Sequence, residues 1–229
     1  MGAIRGLGTA VLAVMLLACA HAPADARPRS VGAAQGGSQL AMTVSGVAPA
    51  PKAFYPFCDK NPGECVVRGD AAAFVATPER MAQLEAVNRE VNDTIRQVTD
   101  LEHYGVSDVW GFPDDGAGDC EDFALLKRRK LIALGWPSGR LLMTAVIDQN
   151  GEGHAVLTAV TDGGDLVLDN KRDEIRPWRS TGYFFLTRQS ADAPRQWVFT
   201  APPTQILVAL KRANGGVGAR TARVASGQR

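Results

Sequence analysis

The sequence has 229 residues, 45% hydrophobic and 21% charged, with 25 basic against 24 acidic side chains. That length holds one domain and hardly two, and the apolar share excludes wholesale disorder. A net charge of +1 lacks the excess of basic residues that a nucleic-acid binder needs, so no nucleic-acid partner is expected.

Met1 to Ala26 has the three parts of a secretory signal: Arg5 as the only charge before an apolar run from Leu7 to Ala20, then small residues. The run is too short to remain as a membrane-spanning helix, which needs ~20 residues. Two processing routes stay open. Ala24-Asp25-Ala26 fits a small-x-small cleavage site that leaves Arg27 first. Leu16-Leu17-Ala18-Cys19 resembles a lipobox, with the signal ending at 18 and Cys19 as a lipidated anchor. Either route gives a periplasmic or secreted protein. Residues 27–52 then read as a flexible lead-in and 53–210 as a single domain. Residues 211–229, with five basic side chains and no acidic one, read as a disordered tail.

Within the domain, Cys58 and Cys65 flank the turn-rich Asp59-Lys60-Asn61-Pro62-Gly63-Glu64 and are expected to form a disulfide in an oxidising compartment. Thr77-Pro78 opens a helix, and Met81, Leu84, Val87, Val91, Ile95 and Val98 extend its apolar stripe to Thr99. Asn88 and Asn92 lie beside the stripe, placed to meet solvent or to pin a loop. A second helix runs from Asp119 to Leu134, with Asp119 and Asp122 in a capping-box arrangement and Gly135 and Pro137 closing it. Its basic run, Lys127 to Lys130, reads as a solvated face.

The period then becomes that of strands: Leu141 to Ile147, His154 to Val160, Asp165 to Asn170, Tyr183 to Thr187 and Gln196 to Thr200. Asn150-Gly151 and Asp162-Gly163 are turn signals between the first three. Helices followed by an antiparallel β-sheet make the fold class α+β.

Pairing the first two domain cysteines leaves Cys120 as a free thiol in the first turn of a helix, where amides and the positive dipole end favour a thiolate. A buried, inert cysteine is the plain alternative. A nucleophilic cysteine needs a base and a group to orient it. With the signal removed, His103 and His154 remain. His154 opens a strand at the rim of a cleft; His103 reads as a surface residue. A two-residue loop at Asp162-Gly163 sets Thr161 opposite Gly164 and puts Asp169 diagonal to His154, roughly 7–8 Å away at the backbone. A one-residue slip would put the two on opposite faces, as unrelated strand residues. An oxyanion donor is also required; the Cys120 amide, Trp110 and Asn92 are candidates.

Gly118-Asp119-Cys120-Glu121-Asp122-Phe123-Ala124 with Lys127, then His154-Ala155-Val156-Leu157, then Leu168-Asp169-Asn170, resembles the bacterial transglutaminase-like cysteine proteinases. Val87-Asn88, Val91-Asn92 and Asp108-Val109-Trp110 resemble the segment before the nucleophile, and the likeness spans Phe54 to Trp197. The resemblance implies a papain-like, transglutaminase-like core and a Cys-His-Asp triad carried by Cys120, His154 and Asp169. The best-known members are periplasmic, calcium-dependent proteases that clip giant surface adhesins and so release biofilm cells. Their calcium ligands fall on Asp119, Glu121 and Asp122 here; the plain reading of Asp119 and Asp122 is helix capping. A protein substrate, a surface adhesin in particular, and an inner-membrane regulator are the implied partners. Acyl transfer to an amine, as in a transglutaminase, and a catalytically silent binding module of the same fold are the alternatives.

Overall fold

The computed structural model describes residues 40–72 and 74–213. The expected signal peptide with Cys19, the lead-in before residue 40 and the tail after residue 213 lie outside the described residues. Among those described, no helix is long and apolar enough to cross a membrane.

Strand β1 (Ser45–Ala48) and helix α1 (Phe54–Lys60) come first. Cys58 and Cys65 form a disulfide with Cα atoms 5.7 Å apart, closing the short loop behind α1. Helix α2 (Pro78–Thr94) opens as its sequence dictates: the Thr77 hydroxyl accepts the Arg80 N–H at 3.4 Å, and Pro78 fills a position where no N–H is needed. The helix stops at Thr94, short of the Thr99 that its apolar stripe suggests. Ile95 is extended, and the Arg96 and Val98 N–H groups bond to the Gly116 and Gly118 carbonyls. The β-branched pair Thr94-Ile95 is a weak helix former, and a neighbouring strand offers it better partners. Thus β2 (Arg96–Gln97) pairs in parallel with β3 (Ala117–Gly118), and Thr99 instead caps the short α3 (Asp100–Tyr104).

Helix α4 (Cys120–Ala133) leads into β4 (Leu141–Ile147), β5 (Gly153–Thr161), β6 (Gly164–Asp169), β7 (Arg172–Pro177), β8 (Phe184–Gln189) and β9 (Trp197–Phe199). The sheet order is β1-β9-β8-β4-β5-β6-β7, every neighbouring pair antiparallel. The β5–β6 hairpin runs from Thr161↔Gly164 to Leu157↔Leu168, the register that a two-residue Asp162-Gly163 loop requires. Beyond Leu157 the ladder ends, so His154 is paired only on its other side, with Val146 of β4.

Helix α4 packs on β4 and β5, while α2 packs on α4 and β7. Between helices and sheet, the fully buried Phe54 meets Trp110 and Trp197 edge-on, with centroids 5.6 and 5.3 Å away. Burying a side chain of that size is worth roughly 1.5–3 kcal/mol. A smaller apolar cluster forms from Met42, Val146, Val156, Val167 and Phe185.

Three expectations change. The lead-in is not wholly outside the fold: Met42 is buried, the Leu40 carbonyl accepts from Asp165 N and Trp178 Nε1, and β1 covers the edge of β9. A sheet edge left bare would expose unpaired backbone groups, which this segment satisfies. Residues 211–213, assigned to the tail, are helical and continue the helix that starts at residue 203. The basic run of α4 is only half solvated. Lys127 and Arg128 are 1% and 3% exposed, while Arg129 and Lys130 pair with Glu64 and Glu90 at 3.2 and 2.9 Å. Four consecutive residues span a full helical turn, so a helix covered on two sides must turn some of them inward. Arg128 meets its burial by donating to the Leu141 and Glu64 carbonyls at 3.0 and 2.9 Å.

Candidate active site

Cys120 is the first residue of α4, and its local geometry depends on Gly118. A Cβ at Gly118 would lie 2.6 Å from Asp122 Oδ2. Only glycine lets Asp122 fold back to accept the Asp119 N–H at 3.4 Å and the Gly111 N–H at 2.9 Å. The partly buried Cys120 sulfur accepts the Ala155 N–H at 3.4 Å and donates its own proton to Glu121 Oε2 at 3.1 Å. The head of α4 is thereby fixed against the start of β5. A cavity of about 360 Å³ opens there, lined by Cys120, His154, Trp110, Glu121, Ala145 and Pro51 among others.

The His154 side chain is buried, and its Nε2 lies 2.9 Å from Asp169 Oδ1. That contact leaves Nδ1 as the ring nitrogen free of Asp169. Asp169 closes β6 with both oxygens engaged: Oδ1 also accepts the Lys171 N–H at 3.0 Å, and Oδ2 accepts the Tyr183 hydroxyl. Burial pushes this carboxyl up, but the His154 hydrogen bond and charge, then Tyr183 and the Lys171 amide, bring it down to about 2.

The sulfur itself sits in surroundings opposite to those expected from a helix N-terminus alone. Burial pushes the Cys120 thiol well above its ordinary range, and the charge and hydrogen bond of Glu121 push it further. The Ala155 N–H works the other way without prevailing. The dipole of one helix end is outweighed by burial together with an acidic side chain in contact with the sulfur.

That carboxylate belongs to a cluster. Oxygens of Asp100, Asp108 and Glu121 lie within 4.8 Å of one another, as do those of Asp100, Asp119 and Asp122, and Asp119 and Glu121 group with the sulfur. Burial and Asp119 drive Glu121 up to about 10, and burial drives Asp122 up to about 7. Asp100 Oδ1 and Asp119 Oδ1 are buried with no hydrogen-bond partner among the described residues. Buried, unpartnered hard oxygens that repel one another suit a divalent cation such as Ca²⁺. Asp100 and Asp108 were not singled out by the sequence as ligands. Asp100 follows the Thr99 cap of a helix too short to announce itself, and Asp108 is one acid in a polar loop.

The remaining candidates fall around this centre. Asn92 Nδ2 donates to the Asp169 and Arg172 carbonyls at 3.0 and 3.2 Å and to Asp173 Oδ1 at 2.9 Å. Asn88 Nδ2 donates to the Arg172 and Asp173 carbonyls at 3.1 and 2.9 Å. Both thus pin the β6–β7 turn behind Asp169, and Asn92 does not line the cavity. Trp110 lines it, but Trp110 Nε1 is committed to Asp108 Oδ1 at 3.2 Å. His103 is half-buried, bonds through Nε2 to the exposed Asp115 Oδ2 at 2.7 Å, and is not among the residues that line the cavity. Tyr183, read from sequence only as the start of a strand, proves to be a contact of Asp169.

A family model for the bacterial transglutaminase-like cysteine proteinases matches residues 44–204. Solved structures of LapG from Legionella pneumophila are similar at 29% identity, covering 58% of this chain and 78% of that one, with a TM-score of 0.45. Its calcium-bound form is similar at 27% identity, covering 60% and 82%, with a TM-score of 0.46. Its EGTA-treated form is similar at 27%, covering 58% and 78%, with a TM-score of 0.44. No protein of curated description matches the sequence.

Proposed function

The chain belongs to the bacterial transglutaminase-like cysteine proteinases, and from that premise we propose that it cleaves a protein substrate outside the cytoplasm through Cys120, His154 and Asp169. One observation carries the reading. A single buried imidazole is held by a carboxylate on one nitrogen, in a cavity shared with the only free thiol among the described residues.

The proposed steps assign a role to each of these groups. His154 Nδ1, the ring nitrogen not held by Asp169, takes the thiol proton that otherwise rests against Glu121, and Cys120 Sγ attacks the substrate carbonyl. The negative charge on the carbonyl oxygen is met by the Cys120 backbone N–H, the one of the three oxyanion candidates that neither Asp108 nor Asp169 engages. His154 then returns the proton to the leaving amine, and the acyl-enzyme is released by a water that His154 deprotonates. Asp169 keeps the ring in the tautomer that bears its proton on Nε2.

Asp119, Glu121 and Asp122, the residues the resemblance names, would hold a Ca²⁺ ion together with Asp100 and Asp108, whose oxygens group with theirs. When bound there, the ion supplies positive charge beside the sulfur and offsets the carboxylates that hold its thiol protonated. The Cys58–Cys65 disulfide is in keeping with export to the periplasm, as is the leading segment through Ala26. A cell-surface adhesin is the proposed substrate, and an inner-membrane protein the proposed regulator.

The test compares surface proteins of cells lacking the gene with cells complemented by wild type or Cys120→Ala. Wild type should restore release of one large surface protein, and Cys120→Ala should not. Release by Cys120→Ala equal to wild type would refute the assigned nucleophile.

A further inference from the structure

The carboxylate of Asp169 is shared, and only one of its oxygens faces His154. The other accepts the hydroxyl of Tyr183, which stands just before β8 on a different part of the sheet. The ring of the same tyrosine meets the His154 ring edge-on, with centroids 5.8 Å apart and planes at 85°. One side chain therefore touches both the base and the group that orients it.

Tyr183 is in turn fixed from its outer side. Arg172 Nη2 donates to the Tyr183 hydroxyl at 3.4 Å, the guanidinium lies 5.6 Å from the ring centroid, and Arg172 Nε stands 3.7 Å from Asp169 Oδ2. Thr181 Oγ1 accepts the Tyr183 N–H at 3.1 Å, so the backbone is held as well. Arg172 and Tyr183 share the duty of occupying Oδ2, but only Tyr183 also reaches the imidazole.

The geometry points to Tyr183 as a positioning residue of the peptidase site, an assignment that rests on the triad proposed above. Without its hydroxyl, Asp169 keeps Lys171 N–H and His154 on Oδ1 but is free to rotate about χ2, since nothing closer than the Arg172 guanidinium then holds Oδ2. Rotation moves Oδ1 off the Nε2–H axis, and a hydrogen bond weakens steeply as that angle opens. Without its ring, the imidazole loses an edge contact that limits its own rotation. The tyrosine is not among the residues that line the cavity and its contacts are with Asp169, Arg172 and His154, so it acts on the rate and not on substrate affinity.

The test uses Tyr183→Phe and Tyr183→Leu in the full chain, with calcium present. The substrate is the fluorogenic peptide that wild type cleaves fastest in a positional-scanning library. Tyr183→Phe should lower kcat about tenfold with KM within about twofold of wild type, and Tyr183→Leu should lower kcat further. A second readout needs no activity. The low-field proton resonance of His154 Nε2–H, assigned by its loss in His154→Ala, should shift or broaden in Tyr183→Phe. Wild-type kcat together with an unmoved resonance in Tyr183→Phe overturns the inference. So does a fall in activity that matches the loss of folded protein seen by circular dichroism. Asp169→Asn separates this from the underlying reading: full activity in Asp169→Asn sinks the triad, while an inactive Asp169→Asn beside a fully active Tyr183→Phe sinks only the role of the tyrosine.

Discussion

Lys127 gives the sharpest test of how burial is balanced in this fold. Its side chain is buried, and Nζ has no hydrogen-bond partner among the described residues and lies 5.9 Å from the centroid of the Phe123 ring. Burial lowers its ammonium from 10.5 to about 7, against the opposing pull of Asp169 and Asp173. In the unfolded chain a lysine keeps its proton up to about 10.4. Between those two values the unfolded state binds the proton and the folded state does not, so wild-type stability rises with pH across the window from 7 to 10.5 and is lowest below it. Replacing Lys127 by methionine keeps the stem volume and removes the charge. The variant should be more stable than wild type at pH 7, and its advantage should shrink by about 4 kcal/mol on going to pH 10. Urea unfolding of both proteins at several pH values measures this, and taking the difference cancels groups that titrate in both. An advantage constant within about 0.5 kcal/mol over that range, or a variant less stable at pH 7, would show that Nζ is solvated or ion-paired in the folded protein.

Two further outcomes are expected. Ca²⁺ should raise the melting temperature and EGTA should reverse the rise, with stabilisation of ~2.7 kcal/mol at a hundredfold excess over Kd; Asp119→Asn should weaken the effect, and no shift at millimolar Ca²⁺ would refute the cation site. Removing the disulfide as Cys58→Ala with Cys65→Ala should cost about 2.5 kcal/mol, the chain-entropy value for so short a loop, read as a lower urea midpoint. A change below about 0.5 kcal/mol would show that the loop holds its shape without the bond.

Local chemistry was legible in the sequence wherever one segment carries its own signal. The Thr77-Pro78 start of α2, the span of α4 and of β4, and the Asp162-Gly163 hairpin with its register are all set by residues close together in the chain. Those same signals put Cys120 at a helix start and brought His154 and Asp169 within reach of each other. Where a signal was shared between segments, the sequence misled. Val98 continues the apolar period of α2, yet the strand beside it claims its backbone. The basic run of α4 looks solvated until α2 and the loop at Glu64 cover two of its members.

The electrostatics of the sulfur belonged wholly to tertiary structure. From sequence, a cysteine at a helix N-terminus is a stabilised thiolate; in the folded protein, burial first, then Glu121 and Asp119, reverse the sign. The same is true of Tyr183 and Lys127, which lie far along the chain from the residues they act on. Helix caps, turns and strand registers depend on neighbours a few positions away and so can be read along the chain. Desolvation and the field of distant charges depend on what the fold packs around an atom, and no local pattern encodes them.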